Sequence, residues 1–268
     1  MLREVTEQGI LCMTSDLLGT KNYFSTRQGG VSIGEFSSMN LGSNRGDDPE
    51  AVRENYTRLC ALFGAGPNDA CVTKQVHGTA VKTVTSKDAH ICMSKVPYEA
   101  DGLVTGEKGL LLFCFTADCI PALLSDTEGK AVAAVHCGWR SSVGDILGNA
   151  VSAMEHLGAK RENIRCALGP AIGACCFETD ADVPEAVEAY VGSFARDAFC
   201  RKQDNGKYLV DLRAVNRERL LQLGVLPGNI DVSEECTVCS HDKYWSHRYT
   251  LKHGLARGSL AAGILLDE

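Results

Sequence analysis

Apolar residues along the chain change spacing from one stretch to the next, now at strand intervals, now at helix intervals. Val52, Tyr56, Leu59, Cys60 and Phe63 recur at helical spacing and predict a helix over residues 49–63, with Cys60 in the core. Residues 71–77 read as a strand ending in a turn at Gly78, and residues 80–84 (AVKTV) alternate as another. The most apolar stretch, GLLLFCFTADCIPALL over 109–124, predicts a buried strand, a polar interruption at Thr116-Ala117-Asp118-Cys119, and a second strand begun by Pro121. A turn at 126–129 leads to a third strand over 130–136 (KAVAAVH). Residues 144–157 then carry Ile146, Leu147, Val151, Met154 and Leu157 on one helical face. A strand at 164–168, a glycine loop at 169–173, helices near 184–199 and 212–223, and short late strands follow. Residues 24–42, rich in Gly, Ser and Asn, suit an irregular loop. Without a long linker, charge block or internal repeat, the pattern predicts one domain over residues 1–268. Its class is α/β (α+β mixed), with mixed sheets flanked by helices.

Composition narrows the function classes. The 268 residues are 44% hydrophobic and 23% charged, enough to bury a core without disulfide or metal staples. Lys plus Arg number 27 against 34 Asp plus Glu, a net charge of −7, with no dense basic cluster. Such a field repels phosphate backbones and anionic membranes, so neither nucleic acid nor membrane is an expected partner. Residues 1–7 carry two carboxylates and no apolar signal region, and the run 110–115 is far too short to span a bilayer, so a cytoplasmic location is expected. Thirteen cysteines in a reducing compartment should be mostly free, small buried side chains.

Three chemically able residues stand at element ends: His77, Cys119 and His136, separated by 42 and 17 positions. Two imidazoles and a thiolate form a good donor set for zinc, and three protein ligands leave one tetrahedral position for water or substrate. The same atoms also suit a metal-free hydrolase in which Cys119 attacks and His136 is the base. Asp118 is either the carboxylate that orients a ligand imidazole or a turn cap. Cys236-Thr-Val-Cys239-Ser-His241 holds one CxxC pair without a second properly spaced pair, which reads as two buried thiols on a late strand. The vicinal Cys175-Cys176 reads as one residue facing in and one facing out. Cys137 should point away from the face that His136 lines. His90, His156, His247 and His253 read as surface residues. Arg27 and Arg248 are forks able to bind phosphate or carboxylate, or else ordinary salt-bridged arginines. Trp139 and the Tyr244-Trp245 pair serve packing or the stacking of a planar base.

Taken together, the strings FSTRQGGVS with Asn40-Leu41-Gly42, Lys74-Gln75-Val76-His77-Gly78, Ala100-Asp101-Gly102, Thr116-Ala117-Asp118-Cys119, His136-Cys137-Gly138-Trp139-Arg140, Gly169-Pro170-Ala-Ile-Gly173 with Cys175-Cys176, and Cys236-Thr237 resemble the YfiH-like family. This family is also called the polyphenol-oxidase or laccase-domain family and is associated with purine nucleoside phosphorylase activity. The resemblance spans almost the whole chain. It implies the cytotoxic-necrotizing-factor/YfiH-like fold and a metal site of His77, Cys119 and His136, with zinc bound, or copper in its place. It further implies an enzyme that phosphorolyses adenosine, inosine and S-methyl-5′-thioadenosine to free base and a ribose 1-phosphate derivative, and deaminates adenosine. Purine nucleosides and inorganic phosphate are then the partners, with Arg27, Asn40 and Arg248 as the expected substrate- or phosphate-binding residues. Two positions depart from the family pattern: Cys137 and Ser141 stand in a string that usually reads HAGWRG, and Tyr249 follows Arg248 where a second Arg is usual. A multicopper oxidase is disfavoured by counting. One blue-copper site consumes both His and the Cys, leaving five scattered His and no His-x-His string. A copper-binding oxidoreductase with a single copper and a non-enzymatic metal-binding interaction protein are the remaining alternatives.

Overall fold

A computed structural model describes residues 1–43, 45–90, 96 and 98–267; Cys92 lies outside them. One six-stranded sheet runs from edge to edge through Leu2–Glu7, Ile10–Ser15, Asn22–Ser25, Leu260–Ile264, Leu111–Thr116 and Ala70–Cys71. Its ladders are antiparallel except the last, where Ala70–Cys71 pairs parallel. A second six-stranded sheet runs through Ile230–Val232, Ile164–Leu168, Ile120–Asp126, Val132–Cys137, Gly102–Thr105 and Val81–Thr83, parallel at both edges and antiparallel between. Glu178–Thr179, Tyr208–Val210 and Cys200–Lys202 make a small third sheet.

The two-residue alternation of strands turns this topology into layers. Leu112 and Cys114 meet Leu103, Leu123 and Ala134 between the two large sheets. Their neighbours Leu111 and Phe113 face the other way, onto Leu59 and Phe63 at the helix Pro49–Leu62. In the second sheet Ala122, Leu124, Ala133 and Val135 face outward against helices Ile146–His156, Asp182–Val191 and Leu212–Gln222. The order is therefore helix, sheet, sheet, helices, a mixed α/β architecture. Both faces of the central strands are covered, which is why residues 109–124 are almost uniformly apolar. No helix among the described residues is long and apolar enough to cross a membrane.

Several elements differ from the periodicity reading for local reasons. The expected strand over 71–77 is cut to Ala70–Cys71, because the amides of Val76, His77 and Gly78 are taken by the Asp101 carboxylate and not by a neighbouring strand. The expected helix over 184–199 is two, Asp182–Val191 and Phe194–Phe199, divided at Gly192 with φ of 120°. Before Ile146–His156 stands a short helix, Trp139–Val143, and Asp145 separates them at φ of 73° while capping Gly148 N. Cys236–Cys239 is a turn and not a strand, and His247–His253 is a helix capped by Ser246.

Candidate active site and metal centre

The hairpin between Ile120–Asp126 and Val132–Cys137 pairs Ile120 with Cys137 and Pro121 with His136. Cys119, one residue before Ile120, is thereby held at the end of the strand that carries His136. By alternation His136 shares the inner face with Val132 and Ala134, whereas Cys137 turns into the helix-side core and is fully buried. His77 arrives on an arm that leaves the first sheet, and Gln75 ties the arm down. Its side-chain amide donates to Phe115 O and its oxygen accepts from Phe115 N, both at 2.7 Å, so a side chain imitates a ladder partner. Asp101 then organises both histidines. Its carboxylate accepts from the amides of Val76 (3.1 Å), His77 (2.9 Å) and Gly78 (2.8 Å), and from His136 Nδ1 at 2.8 Å. With Nδ1 committed to a carboxylate, His136 presents Nε2 to the site. Gly138 supplies room: a Cβ there would stand 2.8 Å from His77 Cδ2 and 3.4 Å from Cys119 Sγ.

His77 Nε2 lies 3.9 Å from Cys119 Sγ, and the two imidazoles meet edge to face with centroids 4.8 Å apart. One donor atom from each of the three residues falls within 4.8 Å of the others. Bonds of about 2.0–2.3 Å to tetrahedral zinc put such donors about 3.3–3.8 Å apart, so the set needs only slight closure to hold one ion. Burial by itself would push the Cys119 thiol up, but hydrogen bonding to the His136 and His77 imidazoles outweighs it and brings the thiol down to about 6. Burial opposes charge on His136 as well, yet Asp101 and Cys119 hold the ring up at about 9. The site therefore favours a thiolate, the form needed both by a metal ligand and by a nucleophile.

These groups form the floor of a cleft of about 660 Å³, a volume that suits a small-molecule ligand. Phe115 and Tyr98 provide aromatic wall, and Arg45 and Arg257 reach the same space. Arg45 is held below its ordinary range by burial and by the charge of Arg257. The buried Nε of Arg257 has no hydrogen-bond partner, and among the described residues neither arginine makes an ion pair. Two guanidiniums thus bring positive charge to one cleft, which Lys74 and Glu99 also line.

The other expected site residues are placed elsewhere. Arg27 lies over the Trp245 ring, and its guanidinium donates to the carbonyls of Ser37 and His241, so it is a loop brace away from the cleft. Asn40 is buried: it donates to Asp47 and accepts from the amides of Gly42 and Ser259, fixing the wall behind the cleft without facing it. Arg248 spends its fork on the carbonyls of Cys176 and Glu178. Among the described residues Asp118 makes no hydrogen bond to an imidazole; it accepts from Thr237 Oγ1 at 2.7 Å and Arg248 N at 2.6 Å, and Asp101 occupies the role expected of it. Asp101 was legible only as part of the Ala100-Asp101-Gly102 string. Trp245 is buried with Nε1 donating to Met39 O, a packing role. His156 and His253 are exposed, while His90 and His247 are half-buried. Cys175, Cys176, Cys236 and Cys239, expected as two unrelated pairs, come together as a second cluster.

Residues 21–267 match the family model described as multi-copper polyphenol oxidoreductase laccase. The chain is 38% identical to a Shigella flexneri protein named purine nucleoside phosphorylase YfiH, over 84% of this chain and 86% of that one. It is 32% identical to adenosine deaminase RL5 from an unknown prokaryotic organism, over 90% and 92% of the two chains. Among solved structures, YlmD from Geobacillus stearothermophilus superposes with a TM-score of 0.86 at 30% identity, covering 99% of this chain and all of that one.

Proposed function

The chain belongs to the family described as multi-copper polyphenol oxidoreductase laccase, and from that membership we propose a zinc-dependent purine nucleoside phosphorylase that also deaminates adenosine. It is an enzyme, and residues 1–268 act as one domain. The observation that carries the reading is the convergence in one cleft of the His77, Cys119 and His136 donors, the guanidiniums of Arg45 and Arg257, and aromatic walls. His77 Nε2, Cys119 Sγ and His136 Nε2 would hold the ion. When bound, zinc would supply Lewis-acid charge beside the reacting atoms.

Phosphorolysis joins a phosphate oxygen to ribose C1′ and breaks the C1′–N9 bond. The bonding pair leaves with the purine, which then takes a proton. Arg45 and Arg257 take the phosphate-binding role expected of Arg27, since their forks match phosphate oxygens and, among the described residues, neither is paired with a carboxylate. Phe115 and Tyr98 offer apolar faces to the base of adenosine, inosine or S-methyl-5′-thioadenosine. Asp101 keeps a proton on His136 Nδ1, so that Nε2 remains a donor towards the site. Deamination exchanges the C6 amino group of adenosine for the oxygen of water and releases ammonia, without phosphate. A reducing, cytoplasmic setting would keep the Cys119 sulfur in the form that either chemistry needs.

The lowered Cys119 thiol and raised His136 favour one competing reading, a thiol hydrolase. Metal analysis coupled to an adenosine assay, with and without phosphate, separates the two. Wild type with zinc bound and phosphate-dependent adenine release, and His77→Ala with neither, is the result expected here. Phosphate-independent turnover by metal-free protein, abolished by alkylation of Cys119, would replace phosphorylase by hydrolase. Copper in place of zinc in the active protein would correct the metal.

A further inference from the structure

We propose that Cys175, Cys176, Cys236 and Cys239 form a tetrathiolate site for one zinc ion, separate from the cleft, which braces the loop carrying Cys119. The four Sγ atoms lie within 4.8 Å of one another, with Cys175 and Cys176 at 3.6 and 3.5 Å from Cys239. A tetrahedral ion with Zn–S bonds of about 2.3 Å sets sulfurs about 3.8 Å apart, so one ion fits among them with little movement. The backbone is arranged for sulfur carrying negative charge. Gly173 N donates to Cys236 Sγ at 3.2 Å, and the amides of Val238 and Cys239 in the same turn point at that sulfur. Gly173 also leaves the space, because a Cβ there would stand 3.2 Å from Cys175 Sγ and 3.2 Å from Cys236 Cβ. The Arg213 guanidinium lies beside Gly173 and donates to the carbonyls of Ser233 and Glu235, placing a positive charge at the edge of the cluster. Four thiols and Zn²⁺ give a complex of net charge −2 and four released protons, with no change of oxidation state. Four soft donors, with no oxygen or nitrogen ligand, favour zinc over harder cations.

The link to the cleft is short. Ala171, two residues before Gly173, bridges to Cys236, and Thr237 N donates to Ala171 O. Thr237 Oγ1 and Arg248 N both donate to the Asp118 carboxylate, while Ile172 N donates to Asp118 O. Arg248 Nη1 in turn donates to Cys176 O. Asp118 has φ of 89°, and its successor is Cys119. An ion drawing the 171–176 and 236–239 turns together would therefore hold Asp118, and through it the position of Cys119.

This site does not depend on the nucleoside reading, and zinc counting on the full chain separates the two. Protein purified under reducing conditions, loaded with zinc and desalted, should hold two ions in wild type. His77→Ala/His136→Ala and Cys175→Ser/Cys239→Ser should each hold one. Cobalt in the histidine variant should give thiolate-to-metal charge transfer and tetrahedral absorption. In wild type, zinc should slow alkylation of all four thiols by about tenfold or more relative to chelator-treated protein. Folded histidine variant without zinc or cobalt would overturn the proposal, as would four thiols alkylated equally fast with and without zinc. The alkylation comparison uses wild type alone and decides the matter if either variant fails to fold. One ion in wild type that survives the histidine changes supports the tetrathiolate site while removing zinc from the cleft.

Discussion

Asp101 carries more of the site than its single position in the chain implies. One buried carboxylate receives three amides from the His77 arm and the Nδ1 proton of His136, so it fixes two donors at once. Asp101→Asn keeps the volume but turns an amide group towards donors that need acceptors. The expected outcome is a loss of about 10–100-fold in zinc affinity, measured by chelator competition. A fall in stability of about 1–3 kcal/mol, measured by urea denaturation, should accompany it. Unchanged affinity would show that the carboxylate does not orient the ligands. The arginines answer to a different readout. Arg257→Met should raise the KM for phosphate in phosphorolysis by about tenfold or more, with a smaller effect on phosphate-independent adenosine deamination. Equal losses in both reactions would place Arg257 against the nucleoside instead.

At the scale of elements, a junction between two helices shows how charge enters stability. Asp145 sits between Trp139–Val143 and Ile146–His156, where its carboxylate caps Gly148 N and accepts a fork from Arg219 at 2.8 and 2.7 Å and the hydroxyl of Tyr190 at 2.7 Å. Partial burial pushes its carboxyl up, but Arg219 and Tyr190 outweigh this and hold it below the usual carboxylate range. A depressed folded pKa means that the pair's stabilisation is complete above the unfolded value of about 3.9 and fades as pH falls through the folded one. Asp145→Asn retains the cap and tolerates positive φ, so its deficit should be present at pH 7 and shrink below about pH 4. Asp145→Ala loses the cap and places a strained residue at φ of 73°, so a further deficit of about 1–2 kcal/mol should persist at both pH values. Urea titrations at the two pH values distinguish these outcomes. The neighbouring boundaries show why periodicity located helices better than their ends. Apolar spacing places residues 146–156 on a core, whereas the start depends on which side chain caps the first turn.

For the whole molecule, stability rests on the layer between the two large sheets. Leu123 is fully buried there with Leu112, Leu103 and Ala134. Leu123→Ala should cost about 2–5 kcal/mol in chemical denaturation, because rigid sheets on both sides collapse poorly into the cavity. Ile33→Ser, at a residue 84% exposed, should change stability by no more than about 0.5 kcal/mol. A similar cost for both would contradict the layered core. The same layering places the chemistry. The cleft opens at the end of the inter-sheet layer, where His136 takes the inward position after Val132 and Ala134, and the apolar packing gives way to polar loops.

The order of apolar and polar residues was sufficient by itself for the α/β character, the central strands and the main helices. Those depend on short-range periodicity and on burial that a chain of this size must achieve. Strand ends, together with the resemblance they supported, also marked His77, Cys119 and His136 for scrutiny. What sequence could not determine were relations between distant segments, since hydrogen bonds and ion pairs leave no periodic trace. Only tertiary structure assigned the orienting carboxylate to Asp101 and not Asp118, brought Arg45 and Arg257 to the cleft in place of Arg27, and turned Arg248 into a brace. It also joined a vicinal cysteine pair to a CxxC turn some sixty residues away. Ligand spacing along a chain is a rule for sites built within one local turn. Here two loops that follow the paired parallel strands Ile164–Leu168 and Ile230–Val232 supply the sulfurs, and the pairing of those strands brings the loops together.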